Sequence, residues 1–185
     1  MKPARPVVLW GVKHCGKSTL GAALAERWGI PLVDTDRLLE EEFARRNGRS
    51  ASTREIFREL GEEAFRRFEA DTVASLSGGS VCRVIALGGG AAVNPFLPAE
   101  VLRDLGFRVF LDVSDEVAFA RVLRGGLPPF LAGAPDPFAE FQRINAARRP
   151  GYLAAADLVF PVTGERPVAE VAAELAGRIE EKINR

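Results

Sequence analysis

The sequence predicts an α/β fold in which helices sandwich a five-stranded parallel sheet. The first observation is an alternation of short apolar runs with stretches of helical periodicity, repeated along the whole chain. The second is that loops containing glycine or aspartate follow several of the predicted strands, at what would be the ligand-binding edge of such a sheet. The third is size, because 185 residues with a hydrophobic fraction of 47% suit one domain with a full core.

Short apolar runs predict the strands, and capping residues or glycines predict where the helices begin and end. The strands are expected at 6–10, 32–33, 81–87, 107–113 and 157–162. The helices are expected after Gly16, from Thr35 or Asp36 to Asn47, after the cap at 50–55, from Gly61 through Val73, from Ser114 to Arg124, from Phe138, and from 167 to 183. The stretch 127–137 is rich in proline and glycine without periodicity, which is typical of a mobile loop. Residues 1–185 are therefore expected to form a single domain with right-handed crossovers.

The loop after the first predicted strand matches the phosphate-binding pattern G-x-x-x-x-G-K-[ST]. Its glycines let the backbone approach phosphate oxygens, and its N–H groups form an anion nest at the start of a helix. Lys17 would supply a charge for the β- and γ-phosphates, and the Ser18 hydroxyl would ligate Mg²⁺. Nucleotide binding is therefore expected, and the alternative is a helix-capping glycine turn with a surface lysine. The predicted nucleotide-binding residues of this loop are Gly11, Lys13, Cys15, Gly16, Lys17, Ser18 and Thr19.

Carboxylates and glycines follow the next two predicted strands. Asp34 and Asp36 come after the second strand, and the triplet 88–90, which is all glycine, comes directly after the third. Because the carboxyl ends of parallel strands meet at one edge of a sheet, we expect a metal- or substrate-binding role for the carboxylates and a substrate-contacting turn for the glycines. The alternatives are two acids that favour a helix start and a plain flexible loop.

Composition argues against several classes of function. Lysine and arginine number 25 and aspartate and glutamate number 25, so no general basic field for nucleic acid is expected. Two cysteines and one histidine offer neither a zinc cluster nor a disulfide framework. The sequence shows no signal peptide and no apolar run long enough to span a bilayer, which predicts a cytoplasmic protein.

The order and spacing of these motifs resemble the shikimate kinase family over nearly the whole chain. The motifs are the loop 11–19, Asp34-Thr35-Asp36, the stretch Ile56-Phe57 to Phe65-Arg66 and Glu69, Gly88-Gly89-Gly90, and Arg148-x-Pro150-x-Tyr152. The resemblance implies a P-loop kinase fold with a substrate-binding helical segment at 35–77 and a lid at 124–137. It also implies a monomer that transfers the γ-phosphoryl group of Mg²⁺-ATP to a hydroxyl of shikimate, giving shikimate 3-phosphate and ADP.

The resemblance also implies roles for positions that match the family's motifs. Asp34 would hold Mg²⁺ through water, and Asp36 would bind substrate hydroxyls and serve as the candidate base. Arg66 and Arg148 would clamp the substrate carboxylate, a bidentate task suited to guanidinium. The remaining implied contacts are backbone N–H groups of Gly88, Gly89 and Gly90 to the substrate, and Arg124 and Thr163 near the adenine.

The lid departs from the family's pattern, because Pro128 stands where an arginine reaches the transferring phosphate in the family. Such an arginine can contribute about 10³-fold or more in rate. One hypothesis is that Lys13 supplies the missing charge, and Arg121 and Arg124 are the alternatives. The departure leaves two other functions open: a related small-molecule kinase of the gluconate type, and a catalytically weakened ATP-binding paralogue with a regulatory role. The carboxylate clamp and the triple glycine favour shikimate.

Overall fold

The computed structural model describes residues 2–79 and 81–183, with the backbone alone at residues 129 and 130. The predicted domain of residues 1–185 therefore extends slightly beyond the described residues. The strands are β1 (Val7–Trp10), β2 (Leu32–Asp34), β3 (Val84–Ala86), β4 (Phe107–Val113) and β5 (Leu158–Val162). The helices are α1 (Lys17–Trp28), α2 (Thr35–Asn47), α3 (Thr53–Leu60), α4 (Glu62–Ala74), α5 (Ala99–Asp104), α6 (Asp115–Arg124), α7 (Pro129–Ala132), α8 (Pro137–Ala155) and α9 (Val168–Ile183), and a 3-10 turn spans Ala91–Val93.

The strands form one parallel sheet in the order β2-β3-β1-β4-β5, which confirms the predicted fold class. β1 lies in the middle, and all four of its side chains are fully buried, since helices cover both faces of a parallel sheet. The strands β2, β3 and β1 are direct neighbours. Their carboxyl ends therefore bring Asp34, the glycine triplet and the phosphate-binding loop to one edge of the sheet.

A second, smaller core supports the helices that follow β2. Five buried side chains of α2, α3 and α4 pack together, separately from the main core that surrounds the sheet. They are Leu39, Phe43, Ile56, Phe65 and Phe68. Ser52 begins α3 with a capping box, in which its hydroxyl accepts from the N–H of Glu55 and the Glu55 carboxylate accepts from the N–H of Ser52. The helical segment after β2 thus has its own core.

Two predicted stretches differ from the structure. The third strand begins at Val84 rather than Val81, because Val84 is where pairing with Val7 of β1 begins, and Val81 is exposed. The loop predicted at 127–137 contains α7, and Leu131 of that helix is fully buried in the main core. The turn at 91–93 and helix α5 lie in a stretch for which the sequence analysis predicted no element. Within the described ranges, no helix is both long enough and apolar enough to cross a membrane.

Candidate active site

A cavity of about 1030 Å³ lies at the carboxyl edge of the sheet. Its walls come from the phosphate-binding loop, from α3 and α4, from the glycine triplet, and from α8 and the start of α9. This is the edge at which open α/β sheets bind ligands. Most of the predicted site residues line it: Lys13, Cys15, Gly16, Lys17, Ser18, Thr19, Asp36, Arg66, Gly89, Gly90 and Arg148.

The phosphate-binding loop has a backbone that requires glycine at both ends of the motif. Gly11 has a φ of +147°, and a Cβ atom there would lie 2.7 Å from the carbonyl oxygen of Leu111. Gly16 has a φ of +104° and precedes the first residue of α1. Within the loop, Lys17 Nζ donates to the carbonyl oxygens of Gly11 at 3.2 Å and Val12 at 3.1 Å. The loop therefore positions its lysine through its own backbone, at the positive end of a helix.

Cys15 belongs to the packing of this loop. Its side chain is fully buried, and its Sγ accepts from Lys17 Nζ at 3.5 Å. A Cβ atom on Gly11 would lie 2.9 Å from that sulfur, so the position of the Cys15 thiol also requires glycine at position 11. A buried thiol of this kind acts as a small apolar residue.

Ser18 and Asp34 form an oxygen pair beside the loop. The Ser18 hydroxyl donates to Asp34 Oδ2 at 2.6 Å, while Asp34 Oδ1 accepts from the backbone N–H of Asp36 at 3.1 Å and caps α2. Hydroxyl and carboxylate oxygens are the ligands that Mg²⁺ prefers, and Mg²⁺ takes few protein ligands besides water and phosphate oxygens. Among the described residues, no cluster of three or more His, Cys, Asp and Glu side chains could hold a metal by itself. The pair therefore fits a metal that is shared with phosphate.

Asp36 faces the cavity from the first turn of α2. Its carboxylate remains open to the cavity, but the surrounding protein desolvates it and raises its pKa, and the charge of Asp34 raises the pKa further. The charges of Lys17 and Lys13 act in the opposite direction. A carboxylate with a raised pKa, next to a phosphate-binding loop, is suited to accept a proton from a hydroxyl.

The glycine triplet makes room for the site's own side chains. A Cβ atom on Gly88 would lie 2.5 Å from Asp36 Oδ1, and one on Gly90 would clash with Arg66 Nη1. The N–H of Gly88 donates to Thr35 Oγ1 at 2.8 Å. The members of the triplet that line the cavity are Gly89 and Gly90. The close approach predicted for this turn is thus partly to Asp36 and Arg66.

Buried polar side chains orient the two predicted clamp arginines. Arg66 Nη1 donates to Glu69 Oε2 at 3.0 Å, and Asn94 Nδ2 donates to the same carboxylate at 2.9 Å and to the carbonyl of Arg66 at 2.7 Å. On the α8 side, burial raises the pKa of Tyr152, while the charge of neighbouring Arg148 lowers it. The Tyr152 hydroxyl donates to the Gly89 carbonyl at 2.5 Å and so ties α8 to the glycine triplet.

The two residues predicted near the adenine lie outside the described lining of the cavity. Arg124 Nη2 donates to Glu165 Oε1 at 2.8 Å, and Thr163 is exposed to solvent. Arg121 lines the cavity instead, donating to the carbonyl of His14 at 3.3 Å and to Glu165 at 3.3 Å. Of the two arginines on α6, Arg121 is therefore the one that reaches the phosphate-binding loop.

Four polar residues of this region received no site role in the sequence analysis. Glu69 and Tyr152 fall within motifs of the family resemblance, so the motif positions were a usable signal. Asn94 is buried but follows a stretch without a predicted element, and no local pattern indicates its contact with Arg66. Arg54 lies in a stretch interpreted only as a helix cap, yet its side chain lines the cavity.

Comparison with known proteins points to one family. A model of the shikimate kinase family matches residues 13–180. A Symbiobacterium thermophilum protein named shikimate kinase is 40% identical over 181 residues, which cover 97% of this chain and 98% of that protein. A Thermobifida fusca protein of the same name is 40% identical over 177 residues and covers 95% of both chains.

Solved structures agree with the sequence comparison. Shikimate kinase from Acinetobacter baumannii in complex with shikimate superimposes with a TM-score of 0.80 at 26% identity, covering 97% of this chain and 95% of that one. A gluconokinase from Sinorhizobium meliloti covers 100% of this chain and 97% of its own with a TM-score of 0.59 at 19% identity. The second likeness concerns the fold alone.

Proposed function

Because the chain belongs to the shikimate kinase family, we propose that its cavity transfers the γ-phosphoryl group of ATP to a ring hydroxyl of shikimate and releases ADP. The observation that carries the proposal is one cavity lined by a phosphate-binding loop, a carboxylate with a raised pKa, and two arginines. Phosphoryl transfer asks little covalent chemistry of a protein. Positioning and charge neutralisation by these groups account for catalysis.

ATP binds with its phosphates on the loop between β1 and α1. The N–H groups of the loop and the positive end of α1 attract the phosphate oxygens. Lys17 and Lys13 add two charges, and both line the cavity. Burial lowers the pKa of Lys13, and the charge of Arg54 lowers it further, so anionic phosphate placed there would relieve repulsion between cations.

Shikimate binds on the other side of the cavity. Arg66 and Arg148 hold its carboxylate, and the buried pair of Glu69 and Asn94 keeps Arg66 in position. The acceptor hydroxyl lies by Asp36, which takes the hydroxyl proton as the oxygen attacks the γ-phosphorus. Asp36 is held next to Gly88, where only glycine leaves room for its carboxylate.

Mg²⁺ completes the nucleotide site in this proposal. Ser18 and Asp34 would hold the ion, Asp34 through a water molecule, since their oxygens already lie 2.6 Å apart. When bound, the ion would neutralise charge on the β- and γ-phosphates. Asp34 also caps α2 in the structure, so the same carboxylate fixes the start of the helix that carries Asp36.

We also propose that two segments of the chain move and that the protein is a monomer. Residues 35–77 form the substrate-binding segment in this proposal, because Asp36 and Arg66 line the cavity from it, and residues 124–137 form the lid. Closure of both would keep water from the γ-phosphate. The protein is proposed to act as a monomer in the cytoplasm, and size-exclusion chromatography with light scattering tests the first of these statements.

Calorimetric titration tests which acceptor the cavity takes. Shikimate, titrated into the protein with ADP and Mg²⁺, is expected to bind at one site per chain, and gluconate is expected to bind at least about 10-fold more weakly. Replacing Arg148 with alanine should weaken shikimate binding by about 10- to 100-fold, because a charge-assisted pair is lost. Equal affinity for gluconate would favour the alternative of a gluconate-type kinase. Nucleotide binding without shikimate binding would favour the regulatory paralogue.

A further inference from the structure

One wall of the cavity supplies no positive charge. Residues 125–137, which connect α6 to α8, contain neither lysine nor arginine. Pro128 from this connection lines the cavity and is buried there. The cations that surround a transferring phosphoryl group must therefore come from other elements.

Four cations of the cavity are already engaged. Lys17 is bonded to loop carbonyls, Arg66 to Glu69, and Arg121 to His14 and Glu165. Arg166 pairs with Glu174. In the described part of the chain, Arg54 lines the same cavity, is solvent-exposed, and makes no hydrogen bond or ion pair. Its guanidinium is thus available to an anion.

The charge of Arg54 acts on two residues of the phosphate-binding loop. After burial, its charge is the largest influence on the pKa of Lys13, exceeding that of Lys17 in the same loop, and it also lowers the pKa of His14. Arg58, one turn later on α3, also lines the cavity without a hydrogen bond or ion pair among the described residues, but its charge is not among the leading influences on the pKa of Lys13 or His14. The charge of Asp36 acts on Lys13 in the opposite direction, but it is outnumbered by the cations, and such an excess of cations around a phosphate-binding loop favours a bound anion.

Helix α3 fixes the backbone of Arg54 beside the cavity. The capping box of Ser52 and Glu55 fixes the first turn of the helix, and Ile56, two residues after Arg54, is fully buried in the small core. A short, capped and anchored turn presents the guanidinium from the substrate-binding segment rather than from the lid. An arginine placed in this way can donate to two oxygens at once.

We propose that Arg54 is a catalytic residue that donates N–H groups to the oxygens of the transferring phosphoryl group. The inference rests on the proposed function. In the transfer, the acceptor oxygen forms a bond to the γ-phosphorus, the bond to the β,γ-bridging oxygen breaks, the hydroxyl proton passes to Asp36, and ADP leaves. Arg54 undergoes no covalent change and stabilises the charge on the equatorial oxygens. It differs from Lys13, which belongs to the loop and would contact ATP in the ground state as well.

Steady-state kinetics of Arg54→Ala test the inference. The expected result is a loss of kcat on the order of 10³-fold, with the KM for ATP and for shikimate changing by less than about 3-fold, because a contact made only in the transition state lowers kcat alone. Arg54→Lys should recover only part of the rate, since an ammonium lacks the planar pair of donors. Added guanidinium ion should raise the rate of Arg54→Ala in a saturable way. Arg27→Ala, an exposed arginine at the end of α1 outside the cavity lining, controls for loss of charge and should retain full activity.

Binding of a transition-state mimic gives the second readout. ADP, Mg²⁺, aluminium fluoride and shikimate should form a tight complex with the unaltered protein and not with Arg54→Ala, whereas both should bind ADP alone equally well. Unchanged kcat in Arg54→Ala, or a higher KM for ATP with unchanged kcat, overturns the inference while leaving the proposed function intact. An unaltered protein that does not release ADP with shikimate overturns both.

Discussion

A single methyl group at position 88 should impair catalysis without disturbing the fold. Gly88 lies outside the left-handed region of backbone conformation, so alanine can adopt its φ without strain. The added Cβ atom would lie 2.5 Å from Asp36 Oδ1, where ordinary contact begins near 3.4 Å. The other nearby group, Glu69 Oε1, is already at an acceptable 3.5 Å. The carboxylate of Asp36 is therefore the group that has to move.

The required movement sets the size of the effect. Asp36 must shift by about 1 Å, and a displacement of that size at a reacting group costs on the order of 10²-fold in rate. Gly88→Ala should therefore lower kcat by about 10²-fold. The KM for ATP should change little, because the phosphate-binding loop does not touch the new methyl group.

A coupled assay of ADP release, with shikimate as the acceptor, measures this effect. Gly177→Ala in α9 is the matched control, because a Cβ atom there meets nothing within 4 Å and the residue does not line the cavity. Circular dichroism on heating would show whether Gly88→Ala remains folded. If a folded Gly88→Ala protein keeps more than half of the original kcat, the fit of glycine to the catalytic carboxylate is not what positions Asp36.

Three substitutions and one pH profile give further tests of the structure. Asp36→Asn should abolish activity yet raise the melting temperature at pH 7, because the raised pKa of Asp36 means that the folded state disfavours its ionised form. This gain in melting temperature, followed by calorimetry, should shrink as the pH falls towards 3.8, the ordinary pKa of an aspartate. In the unaltered enzyme, kcat should fall on the acid side at a pH above that ordinary value, as Asp36 becomes protonated. Asp34→Asn should raise the Mg²⁺ concentration for half-maximal rate by about 10-fold or more, measured by metal titration. Gly177→Ala should raise the free energy of unfolding by about 0.8–1 kcal/mol, measured by denaturant titration.

The parts of the site that could be predicted are those encoded by adjacent residues. The phosphate-binding loop and the Asp34-Thr35-Asp36 triplet each combine a strand end with a helix start, so local pattern and parallel topology suffice to bring them together. The structure places both at one edge of the sheet, as predicted.

The remaining parts depend on contacts between distant positions. Asn94 reaches Arg66 across 28 residues, and Tyr152 reaches Gly89 across 63 residues, distances over which periodicity and capping patterns carry no information. Arg54 illustrates a second limit, because a capping pattern predicts where a helix begins but not which cavity its first turn faces. Leu131 illustrates a third limit, because the proline and glycine residues around it predict a loop although its side chain is buried in the main core.

The central claim is that this cavity phosphorylates shikimate. The most direct measurement is ADP release by the purified chain with Mg²⁺-ATP, compared among shikimate, gluconate and no added acceptor. The account predicts rapid release that depends on shikimate, at a rate far above those with gluconate or without acceptor. Release that is equal in all three samples, or greatest with gluconate, would contradict it.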